Sequence, residues 1–220
     1  MQKLAFIGFG VVGQGLAEIL VKKKDELKSK YGFDYSVVAV SDFKLGSALD
    51  NNGLDLGKVL ELAAGGKISE YPGATTGLDA LETIKQSDAD TVIEVSYTDI
   101  KTGEPANSHF KAALEGGKNL ITTNKGPTAL FFKELAALAK SKGVQFRYEG
   151  TVVAGTPVLD LCDFTLAGNE ISEIRGILNG TTNFILTNME AGRAYDEVLK
   201  EAQELGFAEA DPTADVEGFD

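Results

Sequence analysis

Short apolar runs alternate with amphipathic helical patterns along the first 150 residues of the chain. Five runs have the length and composition of buried strands, at residues 4–8, 35–41, 91–96, 119–123 and 144–149. Helical spacing of apolar positions predicts helices at residues 15–30, 106–117 and 128–143. Strands that alternate with helices predict parallel β-α-β units, so the expected fold class is α/β with a doubly wound parallel sheet.

Two other stretches have a different texture. Residues 43–76 are rich in Gly, Asp and Asn, and we interpret them as an irregular excursion with one short helix around Gly57–Ala64. Beyond residue 150 the pattern predicts a turn into a helix (151–168), a half-exposed strand (170–179), a helix with a Thr or Asn cap (181–192) and a last helix (195–206). We expect two domains, 1–150 and 151–220, and the second has too few strands to close a sheet alone.

Composition narrows the functional classes. With 43% hydrophobic residues the chain can bury a core, and its net charge of −12 disfavours nucleic acid or an anionic membrane as partner. The single cysteine, Cys162, excludes an internal disulfide and fits a reducing compartment, and we interpret it as a buried small hydrophobe. No apolar run approaches the ~18 residues of a membrane span, so we expect a cytoplasmic protein.

A glycine loop follows the first predicted strand, in the order Gly8-Phe9-Gly10-Val11-Val12-Gly13. Between a strand and a helix, this G-x-G-x-x-G pattern is typical of Rossmann-type domains: Gly8 allows the tight turn, Gly10 removes the Cβ that would block a pyrophosphate, and Gly13 lets the helix pack closely. The helix N-terminus then offers amide groups to the phosphates. The alternative is that the glycines merely form a turn.

Asp42, at the end of the second strand, bears on the choice of coenzyme. An acid there can bind a ribose 2′-hydroxyl and would repel a 2′-phosphate, which favours NAD over NADP. However, Asp42 lies 29 positions beyond Gly13, more than the usual ~20, and Lys44 close by could tolerate a phosphate.

Three further strand ends carry polar residues where ligands collect in doubly wound sheets. They begin at Ser96, Asn124 and Glu149. Lys125 could polarise a carbonyl or move a proton, although a solvent-exposed loop lysine is the commoner case. Glu149 precedes small residues with accessible carbonyls, a set suited to a monovalent or alkaline-earth cation, or it simply caps a helix. We interpret His109 as a packing or surface residue and not as a catalyst.

Five segments in this order, IGFGVVGQG, TTNKGP, EGTVVAGTPVL, GILNGTTNFIL and LGFAEADPTADVEGFD, closely resemble the homoserine dehydrogenase family over essentially the whole chain. The resemblance implies interconversion of L-homoserine and L-aspartate 4-semialdehyde with NAD(P), with residues 1–150 binding the dinucleotide. It also implies that residues 151–220 are the first part of an α+β substrate and dimerisation region, and that the partner is a second copy in a homodimer.

The resemblance further assigns roles residue by residue. Catalysis would fall to Lys125 and Asp220, and the family's proton donor is a lysine four positions beyond Asp220. Coenzyme contacts would come from Phe9, Val11 and Val12 of the glycine loop and from Ser96, Thr98 and Lys125, in addition to Asp42, which its place at the end of the second strand already indicates. The substrate site would be formed by Gly180, Thr181, Glu209, Asp215 and Asp220, whose carboxylates suit the α-ammonium of homoserine. A Na+ site would comprise Glu149 and the carbonyls of Val152, Ala154 and Thr156.

Because the chain stops at Asp220, we expect it to be a piece of a longer enzyme. Two alternatives stay open from the sequence. One is another NAD(P)-dependent oxidoreductase of an amino-acid semialdehyde that uses Cys162 as a nucleophile. The other is a dinucleotide-binding module without turnover.

Overall fold

The computed structural model describes residues 1–208. The chain divides into two compact units, the first comprising Met1–Ala154 and the second beginning at Gly155.

Within the described residues, the first unit contains a seven-stranded sheet. Its strands are β1 (Gln2–Ile7), β2 (Tyr35–Asp42), β3 (Gly46–Leu49), β4 (Thr75–Thr76), β5 (Thr91–Glu94), β6 (Asn119–Thr122) and β7 (Phe146–Arg147). In space they lie in the order β4-β3-β2-β1-β5-β6-β7, and the five strands predicted from the sequence pair in parallel. The expected Rossmann-type α/β class is confirmed, but the sheet is mixed because β3 and β4 add in antiparallel fashion.

The prediction of an irregular excursion at residues 43–76 was wrong for β3 and β4, although its short helix is present. The hairpin from β2 to β3 closes on Asp42, whose Oδ1 accepts hydrogen bonds from the amides of Lys44 (2.8 Å) and Leu45 (3.0 Å). The strand that follows reads Gly-Ser-Ala-Leu and contains no β-branched residue, so its composition does not signal a strand. This segment is a strand because it hydrogen-bonds with β2.

Helices cover both faces of this sheet. In the first unit they are α1 (Val11–Lys22), α2 (Lys24–Tyr31), α3 (Leu56–Ala64), α4 (Ala80–Gln86), α5 (Ala106–Glu115) and α6 (Lys125–Lys142), with short 3-10 turns at Ile68–Glu70 and Glu149–Thr151. Alternation along β1 divides the core, because Phe6 joins the cluster under α1 and α3 whereas Ile7 joins the cluster with Phe110 and Leu135 of α5 and α6. Burial on both faces explains why β1, β2 and β5 are apolar runs.

Two helical expectations need correction. The helix predicted at 15–30 is two helices separated at Lys23, and the first begins earlier, at Val11, so Gly13 and Gly15 lie inside it. Helix α4 was not predicted, although its capping box was readable: Asp79 Oδ1 accepts from the Glu82 amide (2.7 Å) and Glu82 Oε2 accepts from the Asp79 amide (3.0 Å).

The second unit is helical within the described residues. It contains α7 (Val158–Asp160), which continues as a π-helical turn at Leu161–Thr165, then α8 (Gly180–Glu190) and α9 (Tyr195–Glu204). The predicted cap of α8 is Asn179, whose Oδ1 accepts from the Thr182 amide at 2.7 Å. The strand predicted at 170–179 is not formed: these residues are largely exposed and pair with no described strand, and without such a ladder alternation alone does not make a strand.

Among the helices of residues 1–208, none has both the length and the apolar character required to cross a lipid bilayer.

Substituting Asp79 tests the capping of α4. Asp79→Ala removes the acceptor of the Glu82 amide and should lower the free energy of unfolding by about 1 kcal/mol, measured by urea denaturation. The control is Glu61→Ala, which removes an exposed ion pair with Lys58 (3.0 Å) and should change stability by less than about 0.5 kcal/mol. Equal effects of the two substitutions would contradict the capping assignment.

Candidate functional site

The turn after β1 lies directly on the end of β5. Gly8 has a φ of +89°, and a Cβ built on it would lie 2.5 Å from the Ser96 amide nitrogen and 2.6 Å from Ser96 Cα. A side chain at Gly8 would therefore collide with the backbone, which cannot move aside cheaply. The first strand end is thereby fixed against the candidate coenzyme residue Ser96.

The other two glycines of the loop differ in what surrounds them. A Cβ on Gly10, the N-cap of α1, would meet no atom within 4 Å, and no side chain caps this helix. A Cβ on Gly13 would lie 2.8 Å from the carbonyl oxygen of Gly8. Gly10 therefore leaves open space at the helix N-terminus, where first-turn amides lack intrahelical acceptors, and Gly13 allows the helix to close on the loop.

The three non-glycine residues of the loop are not equivalent. Phe9 is fully buried, and its ring packs edge-on against Phe6 with centroids 5.6 Å apart. Its side chain belongs to the core, which leaves only its backbone for any ligand contact. Val11 and Val12, by contrast, are 92% and 52% exposed and present apolar surface at the start of α1.

Asp42 connects the end of β2 to the glycine loop, a role that the sequence did not indicate. Its Oδ2 accepts a hydrogen bond from the Phe9 amide at 2.8 Å, in addition to the two amides of the β2–β3 turn. The carboxylate thus ties the end of β2 to the glycine loop, and it places a negative charge beside that loop. Phe43, the next residue, is fully exposed.

The chain beyond β5 contacts the start of α6. The Thr98 hydroxyl oxygen is buried and has no hydrogen-bond partner within the described residues. A Cβ on Gly126 would lie 3.0 Å from that oxygen, so Thr98 and the first turn of α6 are in close approach. Helix α6 begins at Lys125 itself, slightly earlier than predicted, and Lys125 is exposed at its N-terminus.

Asp99 organises the loop between Thr98 and α5. Its Oδ1 accepts hydrogen bonds from the amides of Thr102 and Lys101, each at 2.8 Å. These bonds, that from Thr102 first, hold the pKa of Asp99 below its ordinary value because they favour the charged carboxylate. The conformation of this loop is therefore held by hydrogen bonds between its own residues.

A buried polar cluster beneath these strand ends was missed by the sequence analysis. Glu94, the last residue of β5, is completely buried, and its carboxylate accepts hydrogen bonds from Ser96, His109 and Asn124. His109 is buried, as a packing residue would be, and its partner is this acid. A signal did exist: Glu94 is an acid inside an apolar strand, and such a residue is almost never fully buried unless it is paired.

The Glu149 segment forms a tight turn at the end of β7. A Cβ on Gly150 would lie 2.7 Å from Thr123 Cγ2, so this turn packs against the end of β6. Val153 and Ala154 follow with φ values of +55° and +47°, a conformation that is rare for a β-branched residue and frequent at functional sites. Within residues 1–208 no group of three or more His, Cys, Asp and Glu side chains could hold a metal, so any cation here would need backbone carbonyls besides Glu149.

Only some of the site residues predicted in the second unit lie within the described part of the chain. Gly180 opens α8 and lines an open groove of about 310 Å³ with Phe184 and Phe207. Thr181 is buried, and its hydroxyl donates to the Phe207 carbonyl at 2.5 Å. The Thr156 carbonyl accepts from the Val158 amide at 2.8 Å. Glu209, Asp215 and Asp220 lie outside the described residues.

Cys162 lies in the π-helical turn of the second unit and is half-buried. The expectation of a buried small hydrophobe is therefore met only in part.

Comparison with known proteins gives one family. Residues 8–149 match the family model described as the NAD binding domain of homoserine dehydrogenase, and residues 157–220 match the model described as homoserine dehydrogenase. The homoserine dehydrogenase of Methanocaldococcus jannaschii is 48% identical over 99% of this chain and 65% of its own length. An NAD(+)-dependent homoserine dehydrogenase of Pseudomonas canavaninivorans is 47% identical over 99% of this chain and 62% of its own length.

A solved structure is similar as well. A hyperthermophilic archaeal homoserine dehydrogenase in complex with NADPH has a TM-score of 0.85 and 30% identity, over 99% of this chain and 65% of that one. The chain therefore spans somewhat less than two thirds of the length of these three relatives.

Alanine substitutions at Gly8 and Gly10 should separate the two roles of the loop. Gly8→Ala places a Cβ against the Ser96 backbone and should destabilise the first unit by more than about 2 kcal/mol, measured by thermal or urea denaturation. Gly10→Ala meets no protein atom, so its stability should stay within about 0.5 kcal/mol of the parent while NADH binding weakens at least about tenfold, measured by fluorescence titration. Undiminished binding by Gly10→Ala would show that no phosphate lies over that glycine.

Proposed function

The chain belongs to the homoserine dehydrogenase family, and we propose that it takes part in the NAD(P)-dependent interconversion of L-homoserine and L-aspartate 4-semialdehyde. One observation carries the proposal. The open glycine loop, Ser96, Thr98 and Lys125 line neighbouring strand ends at the carboxyl edge of a single sheet, where α/β proteins bind their ligands. A dinucleotide site and a candidate catalytic cation therefore share one edge.

The residues of the first unit fit a dinucleotide. Gly10 leaves open space at an uncapped helix N-terminus, the arrangement that accepts a pyrophosphate on backbone amides. The matched NAD binding domain model and the NADPH complex of a relative support NAD(P) as the class of coenzyme. When bound, the coenzyme would donate or accept the hydride.

Lys125 would act on the reacting oxygen. Its ammonium extends from the first residue of α6, where it can polarise the aldehyde carbonyl of the semialdehyde and stabilise the alkoxide that forms. Ser96 and Thr98 would orient the ribose and nicotinamide, and the buried Thr98 hydroxyl has no protein partner among the described residues to compete for it.

The amino-acid part of the substrate calls for carboxylates, which would hold its α-ammonium by charge-assisted hydrogen bonds. We assign this role to Glu209 and Asp215, with Gly180 and Thr181 as further substrate contacts and Asp220 as a catalytic residue. The resemblance of the segments GILNGTTNFIL and GFAEADPTADVEGFD to the family supports these assignments.

Three further proposals concern the surroundings of this reaction. A Na+ ion would be bound by Glu149 and the carbonyls of Val152 and Ala154, which the unusual backbone at Val153 and Ala154 supports, and by the Thr156 carbonyl. A homodimer would form through the second unit, where Leu186 (64% exposed) and Phe207 (55%) present apolar surface. The single cysteine supports a cytoplasmic location. The family matches favour this function over the alternative with Cys162 as nucleophile.

The direct test is turnover. In the full-length protein, purified from its own gene, homoserine oxidation should be observed with NAD or NADP at 340 nm, and the reverse reaction with aspartate 4-semialdehyde. Lys125→Met should lower kcat by about 10²- to 10³-fold because it removes the charge that stabilises the alkoxide, and the Kd for NADH should rise to a much smaller extent because Lys125 is also a candidate coenzyme contact. Lys133→Met, which removes an exposed lysine from the same helix, is the control and should leave kcat unchanged. An unchanged kcat in Lys125→Met would remove Lys125 from catalysis.

Asp42 should set the coenzyme preference toward NADH. Asp42→Asn removes a negative charge beside the loop, so the ratio of the Kd for NADPH to the Kd for NADH should fall about fivefold, equivalent to ~1 kcal/mol for charges ~4 Å apart in water. Asn has a single acceptor oxygen and cannot serve both the Phe9 amide and the turn amides in the same way. Any resulting change in the loop affects both coenzymes together, and the ratio isolates the charge. Asp50→Asn, with the same change in net charge, should leave the ratio unaltered, and a constant ratio in both variants would show that another group selects the coenzyme.

A further inference from the structure

Glu94 joins three elements of the candidate site through one carboxylate. Its Oε1 accepts from the Ser96 hydroxyl, just beyond β5, and lies 3.0 Å from Nδ1 of His109 in α5. Its Oε2 accepts from Nδ2 of Asn124, at the end of β6, at 2.6 Å. The Glu94 side chain is 0% exposed and that of His109 is 8% exposed, so water does not compete for these bonds.

The Asn124 side chain does not cap its own helix. Asn124 is the N-cap of α6, a position where Asn normally accepts a hydrogen bond from its own helix, yet it makes no such bond. Its Nδ2 donates instead to Glu94 and to the Ser96 carbonyl at 2.9 Å. The backbone is fixed as well, because its amide donates to Thr122 Oγ1 at 2.9 Å and its carbonyl accepts from Thr128 Oγ1 at 2.8 Å.

Lys125 follows Asn124 directly, and Ser96 is a candidate coenzyme contact. We infer that Glu94 is a positioning residue, whose buried carboxylate fixes Ser96 and the start of α6 relative to each other and so sets where the Lys125 ammonium stands over the reacting carbonyl. This role rests on the proposed function of Lys125. A purely structural acid would not need to divert a helix cap, and burial of a carboxylate is costly unless it is fully hydrogen-bonded.

The substitution Glu94→Gln keeps the shape of the side chain and breaks the pairing. If the substituted side chain keeps its oxygen toward Ser96 and His109, its amide group faces the amide group of Asn124, donor against donor. Turning the Asn124 amide over would bring its oxygen against the Ser96 carbonyl. With the oxygen turned toward Asn124 instead, the amide group must donate to the Ser96 hydroxyl and to Nδ1 of His109, and the charge-assisted bond from Asn124 becomes a weaker neutral one. In every arrangement the link between residue 94 and Asn124 is lost or weakened, so the Asn124–Lys125 segment should be held less firmly.

The test uses the full-length enzyme. Glu94→Gln should lower kcat for homoserine oxidation by about 10- to 100-fold, since a misplacement of ~1 Å can cost about that much, while the KM for homoserine and the Kd for NADH stay within about threefold. Asn124→Ala should have a similar effect, and the double variant should be no slower than the slower single variant because both break one link. Asn124→Ala also keeps the Glu94–His109 pair, which makes it the deciding variant if Glu94→Gln does not fold.

Thr83→Val is the matched control for simple destabilisation. Thr83 is 0% exposed in α4 and its hydroxyl donates to the Asp79 carbonyl at 2.7 Å, remote in role from the site. It should lower the melting temperature without lowering kcat. An Asn124→Ala enzyme that keeps its kcat, or additive losses in the double variant, would overturn the inference. If Glu94→Gln alone keeps its kcat, the amide has replaced the carboxylate with its oxygen toward Asn124, and Asn124→Ala decides.

Crystal structures separate this inference from the proposed function. If the parent enzyme oxidises no homoserine with either coenzyme, the proposed function fails, and the Asn124→Ala structure still decides the positioning role. A displaced start of α6 supports it, and a Lys125 Cα that stays in place overturns it.

Discussion

The close approach between Gly8 and the backbone of Ser96 is the constraint on which the first unit depends. It brings the end of the central strand β1 onto the end of its neighbour β5, at the point in the sheet where the chain order reverses. Similar approaches follow outward, Gly126 onto Thr98 and Gly150 onto Thr123. Glycine at these positions lets neighbouring strand ends share one surface, and loops that differ widely in sequence are held at fixed separations.

The electrostatics of this edge follow from that geometry. The chain carries a net charge of −12, yet it needs to hold an anionic dinucleotide if the proposed function is right. Backbone amides at the start of α1 can do this without a basic patch, because the helix terminus supplies partial positive charge locally. Asp42 adds the opposite sign nearby, and its bond to the Phe9 amide makes the same carboxylate both a brace for the loop and a candidate filter against a 2′-phosphate.

The sequence predicts a strand correctly where a buried run of apolar residues marks it. It fails where only pairing with a neighbouring strand makes the segment a strand. The central strands β1, β2 and β5 are almost wholly buried, so they stand out as apolar runs, and the glycine loop is recognisable from its spacing. Strand β3 has no such mark, since Gly-Ser-Ala-Leu becomes a strand only because Asp42 closes a turn that returns the chain along β2. The opposite error occurred at residues 170–179, where alternation was present and no described strand pairs with the segment.

The candidate site divides in the same way, and Glu94 shows why. Exposed candidate residues such as Lys125 could be picked out from their place at strand ends, because that place is a property of the fold class. Glu94, His109 and Asn124 act on one another, and their meeting requires β5, α5 and β6 to be set side by side. In a single sequence each of them is only an unusual residue without a visible partner: an acid in an apolar strand, a lone histidine and an asparagine before a lysine. Once the sheet brings these three side chains together, each supplies hydrogen bonds that offset the cost of burying the others. The hydrogen-bonded group also fixes the direction of each polar side chain, which apolar packing alone would not do.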